Sequence, residues 1–376
     1  MRSLTANNRI EVKDCCDVVF QLLKVALGND AHVGYASELV DWRNVINLAS
    51  RQGILGVCFD AFNRIPESAR PDGSLLIKWI GQALLLEDRY KQYQETLIRL
   101  SEIVRNLDMR MLVLKGYGCS LNYPQPKYRP CGDIDIFLID VNGNHTDLLS
   151  QRLEAYLEKS LGINVNNQNG HHSQFLFNHF LVENHSTVLN TDAHKSSLYL
   201  NDLLVSMTSS SESVVVGDSE VWLPSAKFNS VHLLRHMASD FASVRTSIRN
   251  LLDWSTFVSM NNVDWTFVHE VAHQANMHRF LDAINGICVN YLGYPKEKFP
   301  VESSDERLGQ KVLNEILSCP DTPDFPSLNS SLRNKISYDL YKTRRMWKNR
   351  WKYQIVYDES LFESFLWKVR SRLKVV

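Results

Sequence analysis

Apolar positions recur at helical spacing from about residue 12 to 110, as in Val18, Leu22, Leu23 and Ala26 and again in Leu84, Leu85, Tyr93, Leu97, Leu100 and Val104. This predicts a helical N-terminal region. Between 111 and 225 the period shortens. The runs MLVL (111–114), DIDIFLI (133–139), SQFLFNHFLV (173–182), TVLNTDAH (187–194), SVVVG (213–217) and EVWLP (220–224) predict strands, with one helix around Leu148–Leu161 between them. Past Pro224 helical spacing returns in Val231, Leu234, Met237 and Phe241 and then in Ile248, Leu251, Leu252 and Phe257. The stretch SCPDTPDFPSLNSS (318–331) reads as a loop or linker before the last helices. The expected fold class is α+β: a helical region over 1–110, a mixed-sheet core over 111–225 and a helical region over 226–376.

Composition narrows the function classes. With 44% hydrophobic and 22% charged residues in 376, the chain has the profile of a folded globular protein. Lys+Arg 41 against Asp+Glu 42 leaves a net charge of -1, so no whole-molecule field collects nucleic acid or an anionic membrane. The seven cysteines include no C-x-x-C pair, and an odd total disfavours a disulfide framework as well as a zinc site. The opening MRSLTANNRIEVKDCC lacks the apolar core of a secretory signal, and no stretch reaches the roughly 18 apolar residues of a membrane span. A reduced, cytoplasmic protein without a membrane partner is expected.

The candidate chemistry concentrates in residues 113–140, VLKGYGCSLNYPQPKYRPCGDIDIFLID. On a strand through Asp133-Ile134-Asp135-Ile136, the two aspartates share one face with Phe137, and Ile134, Ile136 and Leu138 share the other. Two carboxylates about 6 Å apart repel by roughly 3 kcal/mol at an effective dielectric near 20. Magnesium is the simplest neutraliser, being a hard cation that takes one or two carboxylates together with substrate phosphates. An exposed strand end with solubilising aspartates is the plain alternative. Upstream, Lys115-Gly116 ends a strand and precedes a stretch able to start a helix, so the glycine and the first helical turn form a candidate phosphate cradle, with Lys115 as a phosphate contact. Arg129 is a candidate bidentate phosphate clamp. A third acid is expected at Asp192, on a strand that puts Asp192 and His194 on one face, with Glu183 in the turn-like ENHS as the competing candidate.

The order strand, Lys115-Gly116, helix, Tyr123-Pro124, Arg129, Gly132-Asp133-Ile134-Asp135, followed by Asp192 and His194, resembles the DNA polymerase beta-type nucleotidyltransferase superfamily. It is more closely similar to the bacterial branch of uncharacterised nucleotidyltransferases often found among polysaccharide-synthesis genes. Asp41-Trp42 with Gly53-Ile54, Trp222 to Ala226, His236, Arg249 and Asp253-Trp254 extend the likeness over roughly residues 35–300. The superfamily's usual turn is Gly followed by Gly or Ser, whereas here it is Lys115-Gly116-Tyr117, as in the closer branch.

The resemblance implies a nucleotidyltransferase-fold core and attack of an acceptor hydroxyl on the α-phosphate of a nucleoside triphosphate, with pyrophosphate leaving. It implies Mg2+ on Asp133, Asp135 and Asp192, and nucleotide contacts from Lys115, Gly116, Arg129 and His194. Two metals about 3.5–4 Å apart clamp the attacking and leaving oxygens in such reactions. The expected acceptor is small, a sugar or sugar phosphate of surface polysaccharide synthesis; transfer onto protein or RNA, or a silent nucleotide-binding scaffold, are the alternatives.

Other features have plainer expectations. At most one of His171 and His172 reaches the site, because neighbours on a strand point oppositely. Arg249 and Asp253 are placed for an i,i+4 ion pair, or to border the cleft from the helical side. The segment 331–376, with roughly twelve basic and four acidic residues among Trp347, Trp351, Tyr353 and Trp367, is expected to pack as an amphipathic helix rather than to bind nucleic acid.

Overall fold

In this computed structural model the described residues are 14–167, 172–192, 194–243, 246–318, 344, 347–357 and 359–373. His171 and most of the 318–331 linker lie outside them, as does much of 331–346. The N-terminal region folds as α1 (Cys15–Ala26), α2 (Trp42–Arg51), α3 (Leu55–Asp60) and the 34-residue α4 (Gly73–Asn106). Asp72 caps α4, its carboxylate accepting the Leu75 amide at 2.9 Å and so satisfying an orphan donor of the first turn. Leu84 and Leu85, expected on the packed face, are exposed; the buried stripe runs instead through Trp79, Ala83, Tyr90, Tyr93, Leu97, Leu100 and Val104.

The middle region comprises β1 (Met109–Val113), the single-turn α5 (Tyr117–Ser120), β2 (Ile134–Asp140), α6 (Asp147–Leu161), β3 (His172–Phe177), β4 (Phe180–His185), α7 (Ser196–Ser206), β5 (Glu212–Val216) and β6 (Ser219–Leu223). The six strands form one mixed sheet in the order β3-β4-β2-β1-β6-β5. β2 runs antiparallel to β1 but parallel to β4. The helical half that follows is α8 (Ala226–Ala242), α9 (Ile248–Met260), α10 (Trp265–Gln274), α11 (His278–Leu292), α12 (Glu306–Ser318), α13 (Arg350–Val356) and α14 (Leu361–Leu373).

The run at 173–182 differs from its expectation. It is not one strand but the two arms of a hairpin, because Asn178 and His179 both take positive φ, 45° and 68°. Two such residues make the tight turn whose twist matches paired strands. The expected strand over 187–194 is absent. Asn190 accepts the Asp192 amide at 3.1 Å, a local side-chain bond that replaces ladder bonds, and the chain turns into α7.

Each sheet face buries a different cluster. Met111, Val113, Ile134, Ile136 and Leu138 pack with Tyr93, Leu97, Leu100 and Val104 of α4 and with Leu153 and Leu157 of α6. Leu112, Leu114, Phe137 and Ile139, on the opposite parity, join a larger cluster that continues through α1–α3 and the helices after β6. Fully burying one such Leu or Phe contributes about 1.5–3 kcal/mol.

Candidate active site

β2 enters its ladder at Ile134, so Asp133 stands just before the strand and is exposed, while Asp135 is buried. Strand parity turns Asp135 towards the helical half, on the same face as Phe137. The parallel register sets Asp135 beside Glu183 and Phe137 beside His185; the antiparallel register sets His172 beside His185 and Gln174 beside Glu183. These side chains therefore share a face. Ligand atoms of Asp135, Glu183 and His185 all lie within 4.8 Å of one another. His185 Nε2 is 3.0 Å from Asp135 Oδ1 and 3.7 Å from Glu183 Oε2, and Gln174 donates to Glu183 Oε1 at 2.8 Å.

Lys115 closes the group, its Nζ 3.2 Å from Asp135 Oδ1. Burial opposes ionisation of Asp135, but the Lys115 ammonium and the His185 hydrogen bond outweigh it and hold the carboxyl far below the usual carboxylate range. The opposing balance appears at His232 of α8, where burial first and then the Lys115 charge push the imidazole down to about 3. A neutral imidazole thus backs an ionised pair.

Gly116 makes the bend after β1 possible. Its φ of 58° with ψ of -101° is a glycine conformation, and an added Cβ would lie 2.5 Å from the Tyr93 hydroxyl. That hydroxyl donates to the Asp133 carbonyl at 3.2 Å, so α4 fixes the entry to β2 from below. The helix after the bend has only four residues, and of its first-turn amides that of Gly118 already donates to the Lys115 carbonyl at 3.2 Å.

Arg129 and Asp253 form the other fixed joint. Arg129 Nε donates to Asp253 Oδ1 at 3.0 Å and Nη2 to Oδ2 at 2.7 Å, while Tyr123 donates to the same Oδ1 at 2.7 Å. Arg129 is expected to clamp a phosphate; in this structure its fork is bidentate on a carboxylate of α9. Asp253 is correspondingly paired with Arg129 rather than with Arg249 four residues earlier.

A cleft of about 290 Å³ opens between these layers, lined by Lys115, Gly116, Asp133 and Asp135 from the sheet side and by His236, Asp240 and Arg249 from the helical side. Of the residues expected in the site, Lys115, Gly116, Arg129, Asp133 and Asp135 line this cleft. Asp192 sits in an exposed turn, and neither it nor His194 is among the lining residues; Glu183 and His185 do not line the cleft either, but sit beside Asp135, which does. His194 is buried against the chain end, 2.6 Å from Glu359 and stacked on Tyr357 at 3.7 Å. Glu183 occupies mid-strand, not a turn. His185 and Asp240 were missed by sequence reasoning. Recognising Asn178-His179 as a hairpin turn would have put Glu183 and His185 on one parity, and the i,i+4 pairing of His236 with Asp240, observed at 3.3 Å, marks the helix face that meets the cleft.

No curated protein matches the chain. A solved structure that does match is that of an antigenic nucleotidyltransferase-like protein from Paracoccidioides brasiliensis, 14% identical with a TM-score of 0.34, covering 56% of this chain and 97% of that one. The family profile described as "Uncharacterised nucleotidyltransferase" matches residues 38–293, a span that contains the acidic strand, the glycine bend and the α8–α9 side of the cleft. The chain belongs to that uncharacterised nucleotidyltransferase family.

Proposed function

We propose that the protein is a magnesium-dependent nucleotidyltransferase that moves a nucleoside monophosphate from a nucleoside triphosphate to a hydroxyl of a small acceptor, such as a sugar or sugar phosphate of surface polysaccharide synthesis. The observation that carries this reading is the register of β2 and β4, which sets Glu183 beside Asp135, a residue that lines the cleft together with Asp133. Asp135 and Glu183 offer the hard oxygen donors that magnesium takes, their ligand atoms within 4.8 Å of each other and of His185, so this pair fits the ion. In the reading favoured here Asp133, Asp135 and Glu183 hold it, and Glu183 replaces Asp192 as the third acid. When bound, the ion supplies charge neutralisation at the reacting phosphate.

The chain's own residues do the rest. His185, hydrogen-bonded to Asp135 and close to Glu183, orients both carboxylates. Lys115 shares Asp135 in this structure and stands where a phosphate oxygen entering over the glycine bend meets a cation. Tyr93 and the Arg129–Asp253 joint hold the approach to β2 rigid, so the carboxylates need little reorganisation on binding.

The test is incubation with magnesium, α-labelled triphosphates and pooled sugars and sugar phosphates. The expected result is a labelled small product with pyrophosphate released, and a loss of about 10²-fold or more in Asp135→Asn and Glu183→Gln. Label on macromolecules would overturn the small acceptor; unchanged rates in both variants would overturn the site.

A further inference from the structure

Arg249 is the one cationic side chain lining the cleft, among the described residues, that no carboxylate holds. Lys115 is paired with Asp135 and Arg129 with Asp253. The nearest acid on its own helix face, Asp253, has both oxygens occupied, by Tyr123 and by the Arg129 fork. Asp240, across the cleft wall on α8, accepts from Asn250 at 3.3 Å and faces His236 at 3.3 Å. The Nε of Arg249 is buried with no hydrogen-bond partner. A guanidinium with an unmet buried donor is costly unless something else completes it.

The side chain is also placed rather than loose. Gly53, after α2, takes φ +68°, and a Cβ there would lie 3.4 Å from Arg249 Cδ. The Arg249 amide donates to the Gln52 carbonyl at 3.4 Å, and the neighbouring Ile248 amide donates to the Gln52 side chain at 2.7 Å. The arginine stem therefore lies along the Gly53 turn, held from the N-terminal helices, with its charged end at the cleft. A Cβ at that position would only touch the stem, so it is the positive φ of the turn that favours glycine there.

We infer that Arg249 binds the polyphosphate tail of the nucleotide, the end that leaves as pyrophosphate, in the role that sequence alone gave to Arg129. This rests on the nucleotidyl-transfer reading and assigns the anion contact within it to the helical half of the protein. A planar guanidinium matches two phosphate oxygens at once, and it has no competing carboxylate to surrender first. The inference makes substrate binding a property of both halves: carboxylates from the sheet, the anion contact from α9.

The experiment measures binding of inorganic tripolyphosphate, each nucleoside triphosphate and each nucleoside to the full chain in magnesium by titration calorimetry. Arg249→Met is expected to weaken tripolyphosphate and triphosphate binding by about tenfold to hundredfold, with nucleoside affinity unchanged. Arg249→Lys should recover part of the loss. Because a variant can fail to fold, the wild-type protein is also treated with an arginine-directed dicarbonyl reagent. Labelling at Arg249 should be suppressed by tripolyphosphate, and Arg129, locked on Asp253, should stay unlabelled with or without it. Wild-type affinity in Arg249→Met, or labelling that tripolyphosphate leaves unchanged, overturns the inference while transfer stands. A wild-type protein that binds no triphosphate and no tripolyphosphate overturns both.

Discussion

Gly116 shows at the scale of one residue how tightly the site is specified. Its backbone is in a glycine conformation, and the space a methyl group would need is taken by the Tyr93 hydroxyl. Gly116→Ala is expected to destabilise the protein by about 1–3 kcal/mol, read as a lower denaturant midpoint at unchanged slope. In a Tyr93→Phe background part of that loss should disappear, since the clashing oxygen is gone; fully additive effects would show that backbone strain alone is responsible. The sequence displayed this position well, because a glycine between a β-rich run and Tyr117 has few other uses. It displayed Glu183 badly. A single run over 173–182 hid a hairpin turn whose two residues, Asn178 and His179, differ from the familiar Asn-Gly signal. With that turn unseen, Glu183 fell in an apparent loop and Asp192 in an apparent strand.

Among the elements, α9 is joined to the segment entering β2 by one buried pair. Arg129 and Asp253 are both largely buried, so removing either leaves an uncompensated charge in a desolvated place. Arg129→Met is expected to cost about 3–5 kcal/mol in chemical denaturation, and adding Asp253→Leu should return part of it because no buried charge then remains. A double variant no more stable than the single one would contradict this account. Both residues were visible in the sequence, but their partnership was not. An i,i+4 spacing with Arg249 offered Asp253 a nearer partner, and only the packing of α9 against residues 123–131 brings Arg129 closer. Local spacing ranks partners along one helix; it carries no information about a loop 124 residues away.

For the whole molecule, the chain end folds back on the turn that follows β4. Glu359 accepts from His194 and from Ser364 and takes the Lys195 amide at 3.0 Å, while Trp367 of α14 donates to the Thr191 carbonyl at 3.1 Å. Burial alone would raise the Glu359 carboxyl, but these hydrogen bonds outweigh it and the group stays below its ordinary 4.5. A carboxyl depressed in the fold contributes stability that is complete above its unfolded value and is lost as pH falls through the folded one. Protection of residues 347–373 from hydrogen exchange should therefore drop as pH is lowered from above 4.5, once the intrinsic rate is corrected for. Glu359→Gln should show weaker protection at neutral pH and a flatter response to acid; an unchanged profile would remove this tether from the account.

The same scale gives α4 its meaning. Thirty-four residues make a rod about 51 Å long. Its first turns, at Trp79, lie in the cluster shared by the N-terminal and C-terminal helices, and its later turns, from Tyr90 onward, lie in the cluster beneath the sheet. One shaft thus joins the two clusters that pack on either face of the sheet, and from its middle Tyr93 reaches the backbone at Asp133. A kink near the middle of this rod would therefore disturb at once the interior that holds Tyr93 and the carbonyl of the first acid.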